Sequence, residues 1–119
     1  MPFSDMPLKE LLEGAAKACN HQVLHWVDAS HFYAAGLVLD TKHVFNPAHK
    51  VEQALWLNVD LCLNLKHENN SVIVEAPWAG IEPQVVVYGQ EPMAAVCRAL
   101  TQAAAAIASK GLTMKDIPA

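Results

Sequence analysis

The chain carries a single arginine, Arg98, and its lysines, Lys9, Lys17, Lys42, Lys50, Lys66, Lys110 and Lys115, are scattered rather than clustered. Nucleic-acid binding starts from a concentrated basic face that displaces counterions from phosphates. With a formal net charge of −4, no such face is offered and no nucleic-acid partner is expected. Glycine is sparse too: Gly14, Gly36, Gly80, Gly89 and Gly111 stand alone, so no loop of successive glycines can cradle phosphates, which argues against a nucleotide hydrolase of the usual kind. The cysteines, Cys19, Cys62 and Cys97, are odd in number and widely spaced. That pattern fits reduced thiols, expected to be buried, and not a disulfide framework. No apolar run reaches the ~18 residues of a membrane span: the Ala-rich stretch 94–108 is broken by Cys97-Arg98 and Thr101-Gln102. The start, Met1-Pro2-Phe3-Ser4-Asp5, has no basic residue ahead of an apolar stretch, so no secretory signal is read and a cytoplasmic location is expected.

What is present is apolar side chain. Hydrophobic residues make up 53% of the 119 residues and charged residues 17%, enough to fold one core and too short a chain for two. We expect a single domain over residues 1–111. The tail, 112–119, carries Leu112, Met114 and Ile117 and either docks on the body or a partner, or frays.

Pro7 followed by Leu8, Leu11, Leu12, Ala15 and Cys19 gives an apolar stripe at helical spacing, predicting a helix to about Asn20. Residues 21–27 and 36–40 are rich in Val, Leu and Trp and read as two short strands joined as a hairpin. Asn46-Pro47 is a helix-start signal, because Asn can cap free amides and proline has its backbone angle already set; the second helix carries Val51, Ala54, Leu55 and Val59. Leu61, Leu63 and Leu65 alternate with Cys62, Asn64 and Lys66, the period of a strand with one buried face. Residues 67–70 form the turn after it. Strands over 72–74 and 85–88 complete an antiparallel meander, with the Pro- and Gly-bounded loop 77–83 between them. Glu91-Pro92 opens a last helix whose Met93, Val96, Cys97, Leu100, Ala104 and Ile107 keep helical spacing until Ser109-Lys110-Gly111, with Gly111 as a left-handed cap. The predicted fold is α+β, in the order αββαβββα. One antiparallel sheet of four or five strands packs with three helices, as two layers or as an α/β/α sandwich. No internal repeat is seen.

Asn46-Pro47 with its following helix, and Met93-Ala94-Ala95-Val96-Cys97-Arg98-Ala99-Leu100, resemble small proteins of tailed bacteriophages and prophages, the α/β/α-sandwich or NinX-like domains of unknown function. The likeness in element order runs over residues 8–107. Relatives usually carry acidic residues soon after the Asn-Pro start, where this chain has Ala48-His49-Lys50. The resemblance implies a phage accessory protein acting in the bacterial cytoplasm. It brings no catalytic residues to transfer.

Six histidines, His21, His25, His31, His43, His49 and His67, invite a metal reading, with His21 and His25 expected on one strand face. Zinc needs three or four convergent ligands, and no Cys-x-x-Cys or His-Glu-x-x-His completes the pair. No metal, other cofactor or catalytic residue is assigned. The aromatics are more suggestive. Trp78, flanked by Pro77 and Gly80, is either an interface anchor or a plug over the sheet edge. Trp26, Tyr33 and Trp56, with His25, His43 and Arg98, either line a pocket for a planar or anionic ligand or pack the core. Arg98 either grips an anion or pairs with Glu75, Glu82 or Glu91. These residues lead to three functional expectations. The first is a binding protein that blocks or sequesters a host factor through a protein–protein surface at Trp78. The second is a small-molecule sponge for a nucleotide-like signal, and the third a small enzyme acting on a nucleotide around Asp28, Asp40 and Glu52. Homo-oligomerisation fits all three, through a sheet edge or the Ala-rich helix.

Overall fold

A computed structural model of the chain describes residues 3–28, 36–39 and 44–118. Three helices, α1 (Leu8–Ala18), α2 (Val51–Asp60) and α3 (Pro92–Ser109), are interleaved with six strands: β1 (Val23–Val27), β2 (Gly36–Leu39), β3 (Val44–Phe45), β4 (Asn64–Glu68), β5 (Ser71–Glu75) and β6 (Gln84–Val87). The α+β class holds. The single sheet of four or five strands does not: the strands form two three-stranded antiparallel sheets, β1-β2-β3 and β4-β5-β6. The order is therefore αβββαβββα, with the two-residue β3 added.

The helices explain the division. Ala-rich α3 is buried on nearly every side, from Ala95 to Ala108 apart from the half-buried Arg98. A helix apolar all round is a central element rather than a surface one. It packs against α1, α2, β5 and β6, while α1 carries β1 and β2. Each sheet thus rests on its own helix, and a helix pair occupies the centre where a sandwich would place one continuous sheet. The Ala-rich helix, expected as an oligomer contact, is used up inside the monomer.

All three helices end in the same way. At the end of α1, the N–H groups of Asn20 and His21 donate to the carbonyls of Lys17 and Ala16; at α2, those of Cys62 and Leu63 to Val59 and Asn58; at α3, those of Gly111 and Leu112 to Ala108 and Ile107. These are Schellman caps, with a left-handed residue just past each helix: Asn20 (φ 58°), Cys62 (φ 49°) and Gly111 (φ 75°). Gly111 is the cap expected. The α2 cap corrects the expected strand over 61–66. Leu61 and Leu63 are buried because the cap folds them inward, and the extended chain starts only at Asn64. Cys62 is exposed, unlike the buried thiol expected. A non-glycine residue in the left-handed region is strained by roughly 1 kcal/mol, so Cys62→Gly should raise stability by about that amount, read by chemical denaturation.

The second sheet is the meander that was expected. Asn69 and Asn70, both at positive φ (48° and 59°), make the two-residue turn that suits the twist of a hairpin. Val72, Val74 and the half-buried Val86 point inward to the core. In the tail, Leu112 packs on the core and Met114–Asp116 forms a 3₁₀ turn capped reciprocally by Thr113 and Asp116.

Candidate functional site

Of the residues singled out from the sequence, Tyr33 and His43 lie outside the described residues, as do His31 and Asp40. The others do not converge. Trp78 is half-buried against the core and its Nε1–H donates to the Leu61 carbonyl at 2.8 Å. It plugs the loop onto the α2 cap. Trp78→Phe keeps one aromatic ring but removes the donor to that carbonyl and part of the packed indole, which should cost at least about 1 kcal/mol in a thermal or urea melt. Trp26, on β1, also packs on the core and donates to Asp28 Oδ1 at 2.6 Å. His25 is exposed on β1, opposite Val38. His21 precedes the strand and meets Phe45 edge-on at 5.6 Å between ring centroids, so the two histidines do not share a strand face as expected.

Arg98 is committed elsewhere. Its Nη2 donates to the carbonyls of Ser4 and Met6, both at 3.2 Å, tying the N-terminal 3₁₀ turn (Phe3–Asp5) to α3. The expected glutamate partners are replaced by backbone, because the N-terminal segment leaves its carbonyls beside the guanidinium. The one ion pair among the described residues is Lys66–Glu75, at 3.1 Å across β4 and β5.

A cavity of about 270 Å³ opens between the end of α1, strands β2 and β3, and α2. Cys19, Leu39, Phe45 and Leu57 supply its apolar wall, and His21, Gln53, Trp56 and Asp60 its polar or aromatic parts. Only Trp56 belongs to the expected set. Gln53, Trp56, Leu57 and Asp60 lie at i, i+3, i+4 and i+7, one face of a helix, so the spacing was readable once α2 was placed. Asn46-Pro47 marks that helix early: residues 47–49 form a turn in which the Asn46 carbonyl accepts from His49 and Lys50, and the helix proper begins at Val51.

Gln53 holds the cavity's wall together. Its buried side chain accepts from the Asn46 N–H at 2.6 Å and donates to the Val44 carbonyl at 3.0 Å, so α2 pairs with β3 as a neighbouring strand would. Cys19 is no nucleophile here: burial, and then the nearby Asp60 carboxylate, push its thiol up to about 12, where the thiolate is vanishingly scarce at neutral pH. Burial also raises Cys97. Among the described residues the lining includes Asp60 and neither Lys nor Arg. Among the described residues, no three His, Cys, Asp or Glu side chains gather where a metal could sit.

The outer half of α2 is the other feature of this region. Val51, Leu55, Trp56 and Val59 are 42%, 49%, 60% and 74% exposed, while Ala54 and Leu57 face the core. The helix is apolar on both sides, which an ordinary surface helix is not. Met93, at the start of α3, is 47% exposed and shares a shallow cavity with Val51 and Glu91. No helix among the described residues is long and apolar enough to cross a membrane. No protein-family model, curated protein or solved structure matches the chain.

Proposed function

We propose that this protein works by binding another protein, as an accessory domain of the phage kind that residues 46–47 and 93–100 resemble, and that it sequesters a host factor through the outer face of α2. The single observation that carries this is the solvent-facing row of Val51, Leu55, Trp56 and Val59. A contiguous apolar patch of this kind on a folded domain marks an interaction site, and an exposed tryptophan beside a pocket is the usual anchor of one. The cavity under Trp56 has room for an apolar side chain of the partner. Glu52, Asp60 and Glu91 border the patch, so the matching surface carries lysine or arginine at its rim. This moves the docking surface expected at Trp78 to α2, since the Trp78 ring is engaged with Leu61.

Leu55→Glu combined with Val59→Glu tests the reading. Both positions are solvent-facing and glutamate is a good helix former, so stability should stay within about 0.5 kcal/mol. Retention of the partner from bacterial cells producing the protein should fall by roughly tenfold or more. Unchanged retention by the folded double variant would remove α2 from the interface.

A further inference from the structure

The two edges of the second sheet are built differently. β4 presents Lys66, His67 and Glu68, with Lys66 paired to Glu75; charge of this kind discourages a further strand from adding. β6, Gln84-Val85-Val86-Val87, has no charged residue, and Val85 and Val87 are 52% and 67% exposed. Among the described residues its backbone is also available. The Tyr88 N–H donates to the Asn70 carbonyl, and in an antiparallel ladder alternate residues turn to the same neighbour. Val86 and Gln84 therefore bond toward β5, and the N–H and C=O groups of Val85 and Val87 point off the free edge. A cavity of about 360 Å³ lies between Gln84 and Val85 and the first described residues, Phe3 and Ser4.

From these edges we infer that β6 pairs antiparallel with β6 of a second copy, joining two three-stranded sheets into one of six strands. This surface is distinct from α2. With the two-fold axis at Val86, Val85 lies opposite Val87 of the second copy, and the outward amides and carbonyls of both valines are all paired. Pro83, which has no N–H to give, falls just outside that ladder. Glu82 then comes opposite Gln90, so no like charges meet. On the outer face, Val85 and Val87 cover one another beside the half-buried Ile73, which is opposite Val85 within each sheet. A strand that lacks charge, exposes valine and keeps unpaired amides matches its own inverted copy in every one of these respects.

Sedimentation velocity on the full chain tests this. The wild-type protein should sediment at twice its 12.9 kDa mass. Val85→Pro removes only an edge-facing N–H and should give a folded monomer by circular dichroism. Val87→Lys, at a more exposed position, places a cation on the ladder and should weaken the dimer by at least roughly tenfold, and it serves if the proline variant does not fold. Val59→Glu should leave the dimer intact. A wild-type monomer at every concentration, or a dimer that survives Val87→Lys and dissolves with Val59→Glu, would overturn the assignment.

Discussion

Gln53→Leu is expected to lower stability by about 2–4 kcal/mol, because it keeps the size of the side chain and removes the hydrogen bonds to two backbone groups, a loss of about 1–3 kcal/mol for each with the half-buried Val44 carbonyl at the lower end. The Asn46 N–H and the Val44 carbonyl both end on this one amide, and Asn46 is buried, out of reach of replacement water. Against a total of about 5–15 kcal/mol for a domain, the loss is large, and the melting temperature should drop by roughly 10 °C. Hydrogen exchange should show the Asn46 amide losing protection first. Gln53→Glu separates the two bonds. A carboxylate can still accept from Asn46 and can donate to Val44 only when protonated. Burial and that donated bond favour the neutral acid, so its pKa in the folded state rises. The variant should then approach wild-type stability below the ordinary carboxylate range and lose stability as pH rises from that range through the raised folded-state value. Equal stability at pH 4 and pH 7 would show that the donated bond contributes little.

Gly14→Val should cost roughly 2–3 kcal/mol, although removing a helical glycine gains up to about 1 kcal/mol of propensity. A Cβ at Gly14 would lie 3.0 Å from both Cα and Cβ of Ala105. Those atoms belong to the last third of α3, where every residue from Ala99 to Ala108 is buried and the backbone has little room to yield. The cavity beside Gly14, lined by Phe3, Met6 and Ala108 among others, can take the outer carbons of a side chain but not the Cβ itself. The contact of α1 with α3 therefore has to open, and with it the centre of the fold. A thermal melt checks this directly, and a variant as stable as wild type would mean that the helices part without penalty.

These two sites also show where the sequence was legible. Local rules sufficed wherever one element's own residues decide its shape: Pro92 to Gly111 was read as the helix it is, and the meander around Asn69-Asn70 was read in order. They failed where a distant residue decides. The alternation of Leu61, Leu63 and Leu65 has a strand's period, but the left-handed Cys62 uses its first half to end α2. The split into two sheets follows from the burial of α3 between helices, which the alanines permit and no periodicity announces. At the candidate site, attention to aromatic residues found Trp56 and passed over Gln53, Leu57 and Asp60, which share its helical face. Arg98 was assigned a carboxylate or an anion, and the carbonyls of Ser4 and Met6, more than ninety positions away in sequence, took it instead. The apolar outer row of α2 was written in Val51, Leu55 and Val59. Their spacing marks a helix and does not say which side the core takes; here the core lies behind Gln53, Ala54 and Leu57.

The claim that α2 is the working surface is tested most directly by placing a photo-crosslinking residue at Val59, with Glu13 on α1 as an exposed control, in bacterial cells producing the protein. We expect irradiation to yield, at Val59 and not at Glu13, one discrete adduct with a different protein, identified by mass spectrometry and lost when Leu55→Glu is added. Adducts equally abundant at both positions, or an adduct at Val59 that Leu55→Glu leaves untouched, would contradict it.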